Sequence, residues 1–166
     1  HYQDNAPKQV QMECLKAQLQ LANEQNLPVI VHDREAHGDT MDLLRTYQPK
    51  GVVHCFSGSV EMANELIKLG MHIGLGGAVT FKNAKTPVAV ATQLPLSAML
   101  LETDAPYMAP VPFRGNRCDS SMILYTAKKI AAARNEQGHA ITAAQLLEIT
   151  RTNAANLFGI PLGGTL

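Results

Sequence analysis

Pro28-Val29-Ile30-Val31-His32 is an apolar, β-branched run that stops on an imidazole, and the pattern recurs along the chain. Gly51-Val52-Val53 stops at His54, and Met99-Leu100-Leu101-Glu102-Thr103 stops at Asp104. A short apolar run bounded by turn signals reads as a strand buried on both faces, the kind that fills parallel sheets. Parallel strands bring their last residues to one edge. Two imidazoles and a carboxylate gathered there suit Zn²⁺, Mn²⁺ or Fe²⁺, and carboxylate-rich sites suit Mg²⁺.

Outward from these runs, helical patterns alternate with them. Pro7 suits a first helical turn. Val10, Cys14, Ala17 and Leu21, with Leu15, Leu19 and Ala22, form an apolar stripe at helical spacing, ended by Asn26 and Pro28. Residues 35–47 predict a second helix, and Ser59 caps a third that runs to Leu69 and stops at Gly70. Residues 71–75 predict a third strand closed by Gly76-Gly77, residues 87–92 a short helix, and residues 98–102 a fourth strand. Residues 105–119, rich in Pro and Gly, read as a long loop on the edge of Asp104. Ser120 or Ser121 starts the next helix, to about Asn135. Thr142 and Gln145 form a capping box before the last helical segment, which Gly159 ends. A leading helix, four strands alternating with helices and two closing helices imply a parallel sheet wrapped by helices. An open doubly wound sheet and a (β/α)₈ barrel both fit, and both place sites at the C-terminal strand ends.

The bulk properties agree with one globular domain over residues 1–166. The chain has 166 residues, 46% apolar and 17% charged, with a formal charge of zero at pH 7, so no overall basic footprint marks a nucleic-acid scaffold. Cys14, Cys55 and Cys118 are odd in number and far apart, which reads as reduced thiols in a cytoplasmic protein. No apolar run has the length of a membrane span.

Each candidate has a plainer reading beside it. A single strand-end histidine is more often a hydrogen-bonded structural residue; three metal-capable strand ends in succession favour a site. Arg34, just past His32, has the planar fork to grip a phosphate, against a surface salt bridge with Asp33 or Glu35. Ser57-Gly58-Ser59 offers backbone N–H groups to an anion or simply caps a helix. Gly74, Gly76 and Gly77 let backbone approach a ligand or make a tight turn. Glu102 and Asp104 point the same way on an ideal strand, with Asp104 the better ligand or base and Glu102 placed to orient a neighbour.

Pro28-Val-Ile-Val-His32-Asp-Arg34, Gly51-Val-Val-His54-Cys-Phe-Ser-Gly58, His72-Ile-Gly-Leu-Gly-Gly77, Leu100-Leu-Glu-Thr-Asp104-Ala-Pro106-Tyr and Asn153-Ala-Ala-Asn-Leu-Phe-Gly159 resemble, in order, the blocks of the TatD family of metal-dependent DNases. The resemblance implies a TIM-barrel hydrolase of the amidohydrolase type, present here as roughly the second half of the barrel, with four parallel strands and their helices. It implies up to two divalent cations (Mg²⁺, Mn²⁺ or Zn²⁺), with His32 and His54 on one metal. Asp104 is on the other and acts as general base. Arg34 fits a phosphate contact, and Phe113-Arg114-Gly115-Asn116-Arg117 resembles a basic loop whose Arg114 and Arg117 meet the DNA backbone. Cys118 departs from the asparagine usual in that loop. The implied activity is phosphodiester cleavage in DNA, in the 3′ to 5′ sense. The alternatives are an amidohydrolase-type enzyme on a C–N or ester bond and an inactive half-barrel remnant.

The family's His-x-His pair of the first barrel strand and Glu of the fourth have no counterpart in this sequence, and Tyr2-Gln3-Asp4 resembles the segment just beyond that Glu. The expectation is therefore one part of a longer polypeptide or a truncated product, with three ligands of six, weakened metal binding and weak or absent nuclease activity. It also carries two open sheet edges and an exposed inner apolar face that favour self-association. His37, His72 and His139 read as structural or solvated.

Overall fold

The computed structural model describes residues 6–163; His1 and the Tyr2-Gln3-Asp4 block lie outside the described residues. Four parallel strands, β1 (Val29–His32), β2 (Gly51–His54), β3 (Met71–Leu75) and β4 (Met99–Leu101), form one sheet in sequential order. Helices α1 (Lys8–Glu24), α2 (His37–Tyr47), α3 (Val60–Lys68), α4 (Lys85–Gln93), α5 (Ile123–Glu136) and α6 (Ala143–Phe158) precede, connect and follow them. Sequential parallel order with helical crossovers is the repeat of a (β/α)₈ barrel, of which this sheet is a part.

Alternation along the strands separates two environments. Val31, Val53, Ile73 and Met99 face the helices and pack with Leu44, Leu66, Ile130 and Leu146 in the main core. Each such fully buried aliphatic side chain contributes about 1.5–3 kcal/mol. The register pairs Ile30 with Val52 and His32 with His54, so these four share the opposite, inner face. That face is less open than the sequence predicts: Ile30 is 65% exposed, but Val52 and Leu100 are buried. Only the edge strand β1 leaves its inner residue uncovered.

Several boundaries shift for identifiable reasons. On α1 the buried residues are Leu19 and Ala22, whereas Val10, Cys14, Ala17 and Leu21 are exposed. A helix at the end of the row has a single helical neighbour, α2, and buries only the stripe that faces it. The helical segment starts at Ser120 as predicted, but as a 3₁₀ turn (Ser120–Met122) before α5, with Asp119 as its cap, the carboxylate accepting from the Ser121 N–H at 2.8 Å. The Ser59 cap and the Thr142–Gln145 capping box form as predicted, and Gly159 ends α6 in the left-handed conformation at φ 64°. A short 3₁₀ turn, Gly77–Thr80, follows β3 where the sequence predicts only a turn.

Two polar side chains tie α6 to the sheet and α5 to α4. The Asn153 side-chain N–H group on α6 donates to the Leu96 and Met99 carbonyls at 2.7 and 2.9 Å, fixing the entry to β4. The buried Arg134 of α5 donates to the Ala91 and Leu94 carbonyls at 2.7 and 3.0 Å, satisfying acceptors that the end of α4 leaves open.

Candidate metal centre

The strand register sets the site. His32 and His54 are Cα partners at the ends of β1 and β2, and their rings lie 5.9 Å apart between centroids. Beyond β4, Glu102 and Asp104 reach the same imidazole from opposite sides. His54 Nδ1 lies 2.9 Å from Glu102 Oε2, and Nε2 lies 3.2 Å from Asp104 Oδ1. Glu102 also accepts from the Cys55 backbone N–H. The backbone thus holds one oxygen of this carboxylate, and the other oxygen holds the ring.

Gly74 makes that arrangement possible. It sits opposite Leu100 in the sheet, and a Cβ there would lie 2.7 Å from the Glu102 carboxyl carbon. The missing side chain is the space that the Glu102 carboxylate fills. A glycine inside a strand is the available signal of such a close approach, but the sequence does not say which group approaches. Gly77 plays a comparable part beyond β3, where a Cβ would overlap the Met108 carbonyl oxygen of the long loop. Thr80 pins the same loop, accepting from the Val111 N–H at 2.9 Å while donating to the Gly77 carbonyl at 2.7 Å.

The electrostatics follow from this clasp. The hydrogen bond that His54 donates to Glu102 is the largest cause raising the His54 pKa to about 9; burial opposes it, and the charges of Glu102 and Asp104 and a hydrogen bond to Asp104 add to it. The Cys55 thiol is pushed up to about 11 by burial first and then by the Glu102 and Asp104 charges, with Arg34 pulling the other way. A thiol so raised stays protonated at neutral pH and is no nucleophile.

Of the predicted ligands, the structure joins His54 and Asp104 within hydrogen-bond reach and sets His32 beside them. Full closure on one point is not reached: among the described residues, no three His, Cys, Asp or Glu side chains form a group that could hold a metal ion. The reason is local, since His32 is exposed on the edge strand and the facing atoms of His54 and Asp104 pair with each other. Arg34 lies exposed past β1, while Asp33, one of its proposed surface partners, is buried and binds His37 Nδ1 at 2.6 Å. Arg114 stacks its guanidinium 3.7 Å above the Phe81 ring, and Arg117 is exposed on the same loop. Cys118 is buried and donates its backbone N–H to the Pro106 carbonyl at 2.9 Å, so this departure from the family pattern falls at a loop anchor. His72 lies toward the N-terminal end of β3, away from the rim, where burial lowers its pKa.

Four parallel strands whose C-terminal ends carry imidazole and carboxylate side chains define a partial (β/α)₈ barrel with its reactive groups at the expected rim. Comparison with known proteins narrows this class. The family model described as TatD related DNase matches residues 1–159, and the chain belongs to that family. It is 39% identical over 163 residues to the metal-dependent hydrolase YabD of Bacillus subtilis (strain 168), covering 96% of this chain and 62% of that protein. It is 37% identical over 163 residues to the metal-dependent hydrolase YcfH of Escherichia coli (strain K12), covering 96% and 60%. The crystal structure of YjjV, a TatD homolog from Escherichia coli K12, superposes with a TM-score of 0.81 at 32% identity, over 95% of this chain and 61% of that one. The chain therefore spans about three fifths of the length of these relatives.

Proposed function

We propose that the chain supplies part of the active site of a metal-dependent hydrolase that cleaves phosphodiester bonds in DNA, in the 3′ to 5′ sense. The observation that carries this reading is His54, held by Glu102 through Nδ1 while Nε2 faces Asp104. Metal-binding histidines characteristically give their other ring N–H to a carboxylate, which fixes the tautomer and the ring plane. His32, His54 and Asp104 are the ligands this chain would offer to one or two divalent ions such as Mg²⁺, Mn²⁺ or Zn²⁺. Such an ion lowers the pKa of water and neutralises charge building on a phosphodiester.

The chain's own groups divide the remaining work. Glu102 orients His54 and keeps it from turning away from the rim. Asp104, whose side chain is 37% exposed, accepts a proton at a carboxylate oxygen from the attacking water. Arg34, Arg114 and Arg117 bind phosphate oxygens on the two sides of that rim. The three thiols are unpaired, which agrees with a cytoplasmic setting. No described helix is long and apolar enough to cross a membrane.

With His32, His54 and Asp104 as the ligands on offer, turnover by this chain is expected to be weak. The test is degradation of single-stranded DNA with added Mn²⁺ or Mg²⁺ by the purified chain and by His54→Ala. Metal-dependent loss of 3′ nucleotides that His54→Ala removes supports the proposal. Degradation that survives the substitution, or cleavage confined to amide or carboxylic ester substrates, contradicts it.

A further inference from the structure

The net charge of zero conceals a division along the chain. Between Glu65 and Glu136 the only carboxylates are Glu102, Asp104 and Asp119. The first two clasp His54, and the third caps the turn before α5. Over the same stretch Lys82, Lys85, Arg114, Arg117, Lys128 and Lys129 are all exposed. Elsewhere several surface cations meet acids: Lys8 pairs with Asp39, Arg45 with Asp42 and Glu65, Arg151 with Glu148. Among the described residues, no carboxylate lies in ion-pair range of Lys82, Lys85 or Lys129. Uncompensated like charges on one face cost self-repulsion, which a polyanion relieves.

These cations line a shaped feature. A groove of about 420 Å³ runs between the start of α4 and the outer side of α5, walled by Phe81, Lys82, Lys85, Val88, Lys129 and Gln137. Its upper wall, Phe81, is the ring on which Arg114 stacks, and Arg114 belongs to the loop that begins beside Asp104. Close by, Phe113 meets Tyr125 edge to face at 4.8 Å, and the Lys128 ammonium lies 5.5 Å from the Tyr125 ring. The Thr80–Val111 bond fixes that loop to the segment carrying Phe81. Basic and aromatic side chains therefore run from the loop that follows Asp104, through the Arg114–Phe81 stack, to the groove.

From this continuity we infer that the α4–α5 groove is a track for a single-stranded nucleic acid whose end lies at the rim. Lys82, Lys85 and Lys129 each neutralise a backbone phosphate, and the Phe81–Arg114 stack guides the strand between rim and groove. Charged grooves interleaved with aromatic faces are how single strands are held without regard to sequence. The base faces of a single strand are free to meet such aromatic rings, whereas a duplex keeps them inside its own stack. The inference rests on the proposed DNA-cleaving reading and adds to it the path along which the strand lies.

The experiment is fluorescence anisotropy with labelled dT20 in EDTA, so that binding is read without metal or turnover. The triple variant Lys82→Gln/Lys85→Gln/Lys129→Gln is expected to bind roughly tenfold more weakly at low salt. Its slope of log affinity against log salt should be shallower by about 2, since each phosphate neutralised on a single strand contributes about 0.7. Lys16→Gln, on the acidic side of the chain, should bind like the wild type, and a hairpin duplex of equal charge should bind more weakly than dT20. Unchanged affinity and slope in the triple variant, or equal binding of the duplex, overturns the track. Because no metal is present, those outcomes are separate from the His54-dependent cleavage that tests the catalytic proposal.

Discussion

His54 sits between two carboxylates, and its proton is what the clasp protects. The folded pKa of about 9 lies above the ordinary histidine value of 6.5, with the Glu102 hydrogen bond as the largest cause. A group raised in this way stabilises the fold fully below pH 6.5, and that contribution is lost as pH rises through about 9. In the metal-free chain, NMR titration should place the His54 ring near 9, and Glu102→Gln should bring it back toward 6.5. An unchanged midpoint in Glu102→Gln would assign the shift to Asp104 instead. The residues that carry this chemistry were legible as strand-end His and Asp, and Glu102 was legible as an orienting group. The part played by Gly74 was not, because a glycine records only that something comes close. The contact depends on the register of β3 against β4, which no local pattern specifies.

At the scale of elements, the fold depends on side chains that end and anchor helices. Asn153 holds α6 against the entry to β4 through two carbonyls, and its loss leaves both without that partner. Asn153→Ala should cost about 2 kcal/mol by denaturant unfolding, given a net value of about 1 kcal/mol per hydrogen bond. A change below 0.5 kcal/mol would mean that water replaces the amide (about the scatter of neutral surface substitutions). Strand positions and the Ser59, Thr142 and Gly159 boundaries were readable because apolar runs and capping residues act locally. The burial of α1 was not. Periodicity marks two adjacent apolar stripes, and which one packs is set by whether a neighbouring helix is present.

For the whole molecule, the decisive feature is a sheet with two ends. β1 pairs only with β2 and β4 only with β3, so each leaves a row of backbone groups without a strand partner among the described residues. Beside β1 a groove of about 540 Å³ is walled by Val10, Cys14, Leu15, Ile30 and His32, and Ile30 is 65% exposed. Open apolar edges template association. Light scattering after size exclusion should show dimers or larger species that grow with concentration, and Ile30→Lys should shift them toward monomer. A monomer at every concentration would contradict this. The alternation of runs made a parallel sheet wrapped by helices legible but fitted an open doubly wound sheet as well as a barrel; the ordered family blocks chose the barrel. The segregation of charge into a basic half was present in the sequence but hidden by a net value of zero.

His32, His54 and Asp104 are proposed together as ligands of one or two divalent ions. Mn²⁺ titration followed by calorimetry, with elemental analysis of the dialysed chain, tests it most directly. Binding of about one or two equivalents is expected, lost in His54→Ala and Asp104→Ala and weakened roughly 10- to 100-fold in Glu102→Gln. No saturable binding by the wild-type chain, or binding indifferent to His54 and Asp104, would contradict it.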